Sequence, residues 1–167
     1  MLQLGWTVGA QSQKVPAVMR ATAVPGVGRA LANVPPTERA VRAMLNQIGL
    51  DDAVATGTMT PEMVEVFHSL LRDTRTLRNE LDASPRVVLP IKGMNTELLL
   101  PADLLAEIAA PTYFLWGTRD PFGDESMARQ LAAMIPNAQV EMMPGGHAVW
   151  VDDPAYVAKV AESFLRG

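Results

Sequence analysis

The sequence predicts an α/β fold: a short parallel sheet with flanking helices, overlaid by a helical layer. Three observations carry this. Near the C-terminus, two short apolar runs, each followed by an amphipathic stretch, read as strand, helix, strand, helix. Between residues 14 and 108, apolar residues recur at helical spacing, and no stretch alternates with period two. The chain also opens on a third short apolar segment.

Residues 1–13 form the first unit, in which "MLQLGWTVGA" reads as a strand over about residues 2–8 closed by a Gly9–Ala10 turn. Residues 14–108 read as helices set apart by Pro and Gly. In "PPTERAVRAMLNQIGL", Thr37 is the N-cap, Val41, Met44, Leu45 and Ile48 make one apolar stripe, and Gly49 ends the helix. In "TPEMVEVFHSLLRDTRTLRNEL", Thr60 caps, Pro61 takes the first helical position, and Met63, Phe67, Leu70 and Leu71 share a face. Without period-two alternation, this layer is expected to contain no sheet.

Residues 109–167 change character. "PTYFLWG" is a continuous apolar and aromatic run stopped by Gly117, the pattern of a strand buried on both faces, over about residues 111–116. "DESMARQLAAMIP" is a helix with Met127, Leu131, Met134 and Ile135 on one side. "NAQVEMMP" supplies a second strand, about residues 139–143. "DDPAYVAKVAESFLRG" closes the chain as a helix with an acidic start, Pro154 in its first turn, and Val157, Val160, Ala161 and Phe164 facing inward. This is a βαβ unit, for which a right-handed crossover is expected.

Composition narrows the function. The 167 residues suffice for one domain with a real core, and 49% of them are apolar. A net charge of −4 and the lack of a Lys/Arg cluster argue against nucleic acid as a partner. With no cysteine, the chain has no disulfide, thiolate nucleophile or zinc–cysteine site. Two histidines without an HExxH pairing make a metal site unexpected. No signal peptide or membrane-spanning run is visible, so the expectation is a cytoplasmic protein that does not enter a membrane.

Chemistry in such a sheet is expected past the carboxyl ends of the strands. Asp120 lies there in "WGTRDPFG", and His147 lies there in "MPGGHAVW". In a βαβ unit these loops leave neighbouring strands at the same edge. An acid beside an imidazole can fix its tautomer and stabilise its charged form, leaving the other nitrogen as a general base. Asp120 and His147 are therefore the candidate catalytic pair. His68, Phe122 and Trp150 are candidate substrate contacts; His68 reads as a residue of the helical layer beside its apolar stripe, and Trp150 as packing under the histidine loop. "PGVGRAL", with Gly26 and Gly28, opens no βαβ unit and reads as a helix break rather than a nucleotide loop. The ten methionines suit adaptable apolar packing.

The run "APTYFLWGTRDPFG…MPGGHAVWVDDP…VAESFLRG" resembles the C-terminal end of an α/β-hydrolase. That family places its acid after one strand in a G-x-x-D pattern and its histidine after the next in a G-G-H or G-x-H pattern. The resemblance implies a partial α/β-hydrolase fold, with residues 1–13 and 109–167 in the core and 14–108 as the cap. It implies hydrolysis of a small apolar substrate, with Asp120 orienting His147 and no cofactor. The family's nucleophile elbow, G-x-S-x-G or an Asp or Cys variant, is not in the chain: Ser12, Ser69, Ser84, Ser126 and Ser163 all lie outside such a frame. The reading is therefore a hydrolase fragment, inactive alone. It would work only with an N-terminal half, or would self-associate through an uncovered sheet edge. The alternatives are a non-catalytic ligand- or protein-binding module and an inactive truncated product.

Overall fold

The computed structural model describes residues 1–5 and 15–167. It opens on Leu2–Leu4 (β1), the described part of the expected first strand; the remainder of that segment, with its Gly9–Ala10 turn, lies outside the described residues. The helical layer follows: Ala17–Thr22 (α1), Val27–Leu31 (α2), Glu38–Gln47 (α3), Asp51–Thr56 (α4), Pro61–Asp73 (α5) and Thr76–Val87 (α6). Next come Val88–Leu89 (β2), Gly93–Met94 (β3), a 3-10 turn at Thr96–Leu98, and Ala102–Ala106 (α7). The C-terminal part runs Thr112–Gly117 (β4), Glu125–Ala133 (α8), Ala138–Met143 (β5), Val149–Asp152 (α9) and Pro154–Arg166 (α10).

The main sheet has the order β1-β4-β5, all parallel, so the most apolar strand lies in the middle. Its alternation divides the core in two. Phe114 and Trp116 pack with Leu105 of α7 and Ala128, Leu131 and Ile135 on and just beyond α8. Leu115, between them, points the other way and packs with Met143, Val149 and Val157, joined by Leu4 and Val160. Trp116 is fully buried, and its indole N–H donates to Gly123 O at 2.9 Å, so its polar group is satisfied in the core.

The layer is built as its caps and stripes dictate. Thr37 accepts from Ala40 N and Thr60 from Met63 N, with Pro61 at the first helical position. Val41 and Leu45 of α3 pack with Leu50, Ala53, Met59, Val64 and Leu71, and this cluster also takes in Ala148 and Val151. The layer therefore rests on the segment after β5, at the carboxyl edge of the sheet.

Three expectations are corrected. Leu70 is 42% exposed, and Val64 holds the buried place, because the α5 stripe falls at 64, 67 and 71. The layer also contains a sheet: β2 and β3 pair antiparallel, Val88 with Met94 and Leu89 with Gly93. Strands of two residues are too short to show a period of two. Trp150 does not pack beneath the loop but lies 47% exposed, while its neighbours Val149 and Val151 take the buried positions. Among the described residues, no helix is long and apolar enough to cross a membrane.

Candidate active site

All three strands end at one place. Gly5 N, just past β1, donates to Leu115 O at 2.8 Å; Thr118 N, past β4, donates to Met143 O at 2.9 Å; Arg119 N donates to Gly145 O at 2.9 Å. These bonds extend the sheet by a residue or two beyond its strands and bring the 118–120 and 144–147 loops side by side.

The loops juxtapose Asp120 and His147. Nδ1 of His147 lies 3.0 Å from Oδ2 of Asp120, and the carboxylate side chain is fully buried. A carboxylate has only acceptors, so Nδ1 carries the proton and donates. The other carboxylate oxygen, Oδ1, accepts from Phe122 N at 2.9 Å. Asp120 is thus held at both oxygens and cannot rotate without losing a bond. The Phe122 ring meets the imidazole edge-to-face, with centroids 4.8 Å apart and planes at 73°. The His147 side chain keeps 25% exposure, and among the described residues Nε2 makes no hydrogen bond. The tautomer that Asp120 selects leaves Nε2 unprotonated in the neutral ring, the state of a general base.

The histidine loop is clamped from above and below. His147 N donates to Ile48 O at 3.0 Å, which ties it to the corner between α3 and α4. Gly146 N donates to Oδ2 of Asp152 at 2.8 Å. The acid loop is tied to the same corner by the ion pair of Arg119 with Asp52 of α4. At that corner backbones touch directly. A Cβ on Gly146 would overlap the Gly49 carbonyl oxygen, and one on Gly117 would lie 2.6 Å from Gly145 O. Gly49 also takes φ +80°, a left-handed conformation that glycine adopts without strain. Burial raises the pKa of the Asp152 carboxyl above its ordinary value; its bond from Gly146 and the nearby Arg119 oppose this without overcoming it.

Of the sequence-derived candidates, Asp120, His147 and Phe122 meet. His68 does not join them. Its Nε2 lies 2.9 Å from Pro36 O and its Nδ1 3.4 Å from Glu65. Pro36 precedes α3, whose far end at Ile48 touches His147, so a helix of 10 residues, ~15 Å long, separates the two histidines' anchoring points. Trp150 lies on α9, half exposed, with no contact to the pair among the described ring contacts. Sequence reading missed Asp152, Arg119 and Gly49. Asp152, five residues past His147, reads as a helix start, yet Asp153 caps α10, accepting from Tyr156 N, while Asp152 reaches back to accept from Gly146 N. Among the described residues, no group of three or more His, Asp or Glu could hold a metal ion.

Comparison with known proteins identifies the family and the fold. The Alpha/beta hydrolase family matches residues 5–160. The monoacylglycerol lipase ABHD6 of Bos taurus is 40% identical over 60 residues, covering 35% of this chain and 18% of that protein. Among solved structures, the 2-hydroxy-6-oxo-6-phenylhexa-2,4-dienoate hydrolase from Rhodococcus sp. strain RHA1 superposes with a TM-score of 0.70 at 15% identity, over 99% of this chain and 54% of that one. A thermophilic esterase from Thermogutta terrifontis gives 0.64 at 16% identity, over 99% and 54%. The chain thus spans about half the length of these solved structures and a smaller share of the curated relative.

Proposed function

Because the chain belongs to the alpha/beta hydrolase family, we propose that His147 and Asp120 are the base and the orienting acid of a hydrolytic site for a small apolar carboxylic ester. The observation that carries this is the 3.0 Å contact between the imidazole and a buried carboxylate whose second oxygen is already taken. In this reading Nε2 of His147 removes a proton from the attacking hydroxyl or water and returns it to the leaving group. Asp120 fixes the ring and stabilises the imidazolium formed in between. The ester preference is supported by two relatives whose names are a lipase and an esterase.

In this reading the nucleophile is supplied from outside residues 1–167. No serine of this chain stands in a G-x-S-x-G frame. The outer side of β1 pairs with no strand among the described residues, leaving an edge where further parallel strands can add. The test is co-expression with a polypeptide that supplies an elbow and the strands to follow β1 outward, assayed on p-nitrophenyl esters of increasing chain length. Turnover should require both chains and be lost in His147→Ala. The isolated chain should be inert, since losing even one oxyanion donor costs ~10²–10³ in rate. Turnover by the isolated chain, or a complemented enzyme indifferent to His147→Ala, would overturn the proposal.

A further inference from the structure

The helical layer holds a cavity of about 640 Å³ that shares no residue with the Asp120–His147 pair. It opens between α1, α2, α3 and α6, and its lining lies wholly within residues 18–88. Its size falls within the range of small-molecule pockets, ~300–1,000 Å³. Its apolar wall is aliphatic or thioether throughout: Val18, Leu31, Met44, Leu77, Leu81 and Val88 are representative, and no Phe, Tyr, Trp, Lys or Arg lines it. Several of these groups stand in water: Val18 is 45% exposed, Leu31 43% and the rim residue Val34 58%. An apolar ligand would remove that surface from solvent.

The polar groups of the wall specify the ligand's head. Thr22 Oγ1 donates its one proton to Met19 O at 3.0 Å, so in its 3.0 Å contact with Ser84 the serine must be the donor. Both hydroxyl protons are then spent, and Ser84 offers lone pairs only. Glu80 is the single ionisable residue of the wall, and among the described residues its carboxylate pairs with no cation. Thr37 at the rim accepts from Ala40 N and keeps its own O–H to give. An anionic head would meet the Glu80 charge with no cation to answer it. A head that both donates and accepts satisfies Ser84 or Glu80 on one side and Thr37 on the other.

We infer that this cavity is a binding site for an uncharged aliphatic alcohol, an alkyl chain ending in a hydroxyl. An ester-cleaving enzyme that releases or carries such chains would meet this ligand, but binding requires neither His147 nor a nucleophile. The inference therefore stands or falls separately from the hydrolytic reading.

The experiment titrates the isolated full chain with octanol and with octanoate, followed by calorimetry and by the methyl resonances of Met19 and Met44. Octanol should bind and shift both methyls. Octanoate should bind about tenfold more weakly, because its charge is desolvated beside another carboxylate. Glu80→Gln should narrow that gap. Ala83→Trp and Leu31→Glu, both at exposed wall positions that leave folding intact, should abolish octanol binding. No shift with octanol, equal affinity for octanoate, or binding undisturbed by both wall variants would overturn the inference. So would a light-scattering measurement showing this face already covered by a second copy that octanol does not displace.

Discussion

Asp120 accepts from the imidazole with one oxygen and from Phe122 N with the other. Asp120→Ala removes both acceptors at once, from the imidazole and from a buried backbone N–H, a loss of ~1–3 kcal/mol that urea denaturation should read directly. Asp120→Asn keeps the shape but offers its amide where Nδ1 donates. In a complemented enzyme, turnover should then fall by ~10²–10⁴ with little change in folding. Asp152 behaves oppositely. Its pKa is raised above 3.8 by burial, so the fold favours the protonated carboxyl. The stability this gives is full below the ordinary value and is lost as pH rises through the raised one. Asp152→Asn retains an oxygen for Gly146 N without the charge. It should raise the urea midpoint at pH 7, and the gain should shrink as pH falls toward about 4. Asp120 and His147 were legible in sequence because a polar residue after a buried strand is conspicuous. Asp152 was not, because a carboxylate ahead of a helix reads as a cap whichever way it points.

At the scale of elements, strands and helices with caps were the legible part. β4 runs 112–117 and β5 138–143, against expected spans of 111–116 and 139–143, since a buried run bounded by Pro and Gly admits few alternatives. The β2–β3 ribbon was invisible because four residues are too few to show a pattern, and its Val88 and Met94 are fixed by packing with Val15 and Ala23. The α3–α4 corner was invisible for a related reason: a glycine seen in sequence reads as a helix stop, not as a contact surface. Gly146→Ala forces a methyl into the Gly49 carbonyl. Overpacking of this kind costs ~1–3 kcal/mol. The variant should also broaden or shift the His147 ring signals in NMR spectra, because the residue that moves is its neighbour.

Across the molecule, among the described residues, the sheet stops at β1 on one side and at β5 on the other. An unpaired parallel edge with Leu2 and Leu4 beside it is a template for another strand. The isolated chain should therefore self-associate with rising concentration in light scattering, and Leu2→Pro, which removes an outward-facing edge donor because residues 1 and 5 bond toward β4, should reduce that association. A chain that stays monomeric at high concentration would count against this. The family was readable from residues 109–167 alone, where loop chemistry and strand pattern coincide. The substrate was not, because the layer that would choose it is described by helical stripes that any amphipathic helix shares.

The meeting of Gly49 with Gly146 has a further consequence for anyone who rebuilds this protein. At this point the helical layer touches the histidine loop through main chain, while the Arg119–Asp52 pair and the apolar contacts of Ala148 and Val151 hold the layer beside it. The layer is in effect a cartridge with one keyed pin and a few side-chain latches. Residues lining its cavity can be exchanged to change what it holds, and helices can be lengthened or replaced. Any replacement that lacks an Ile48-Gly49 type corner, with a free carbonyl for His147 N and no Cβ facing Gly146, will leave the histidine loop unregistered, however well its new pocket is shaped.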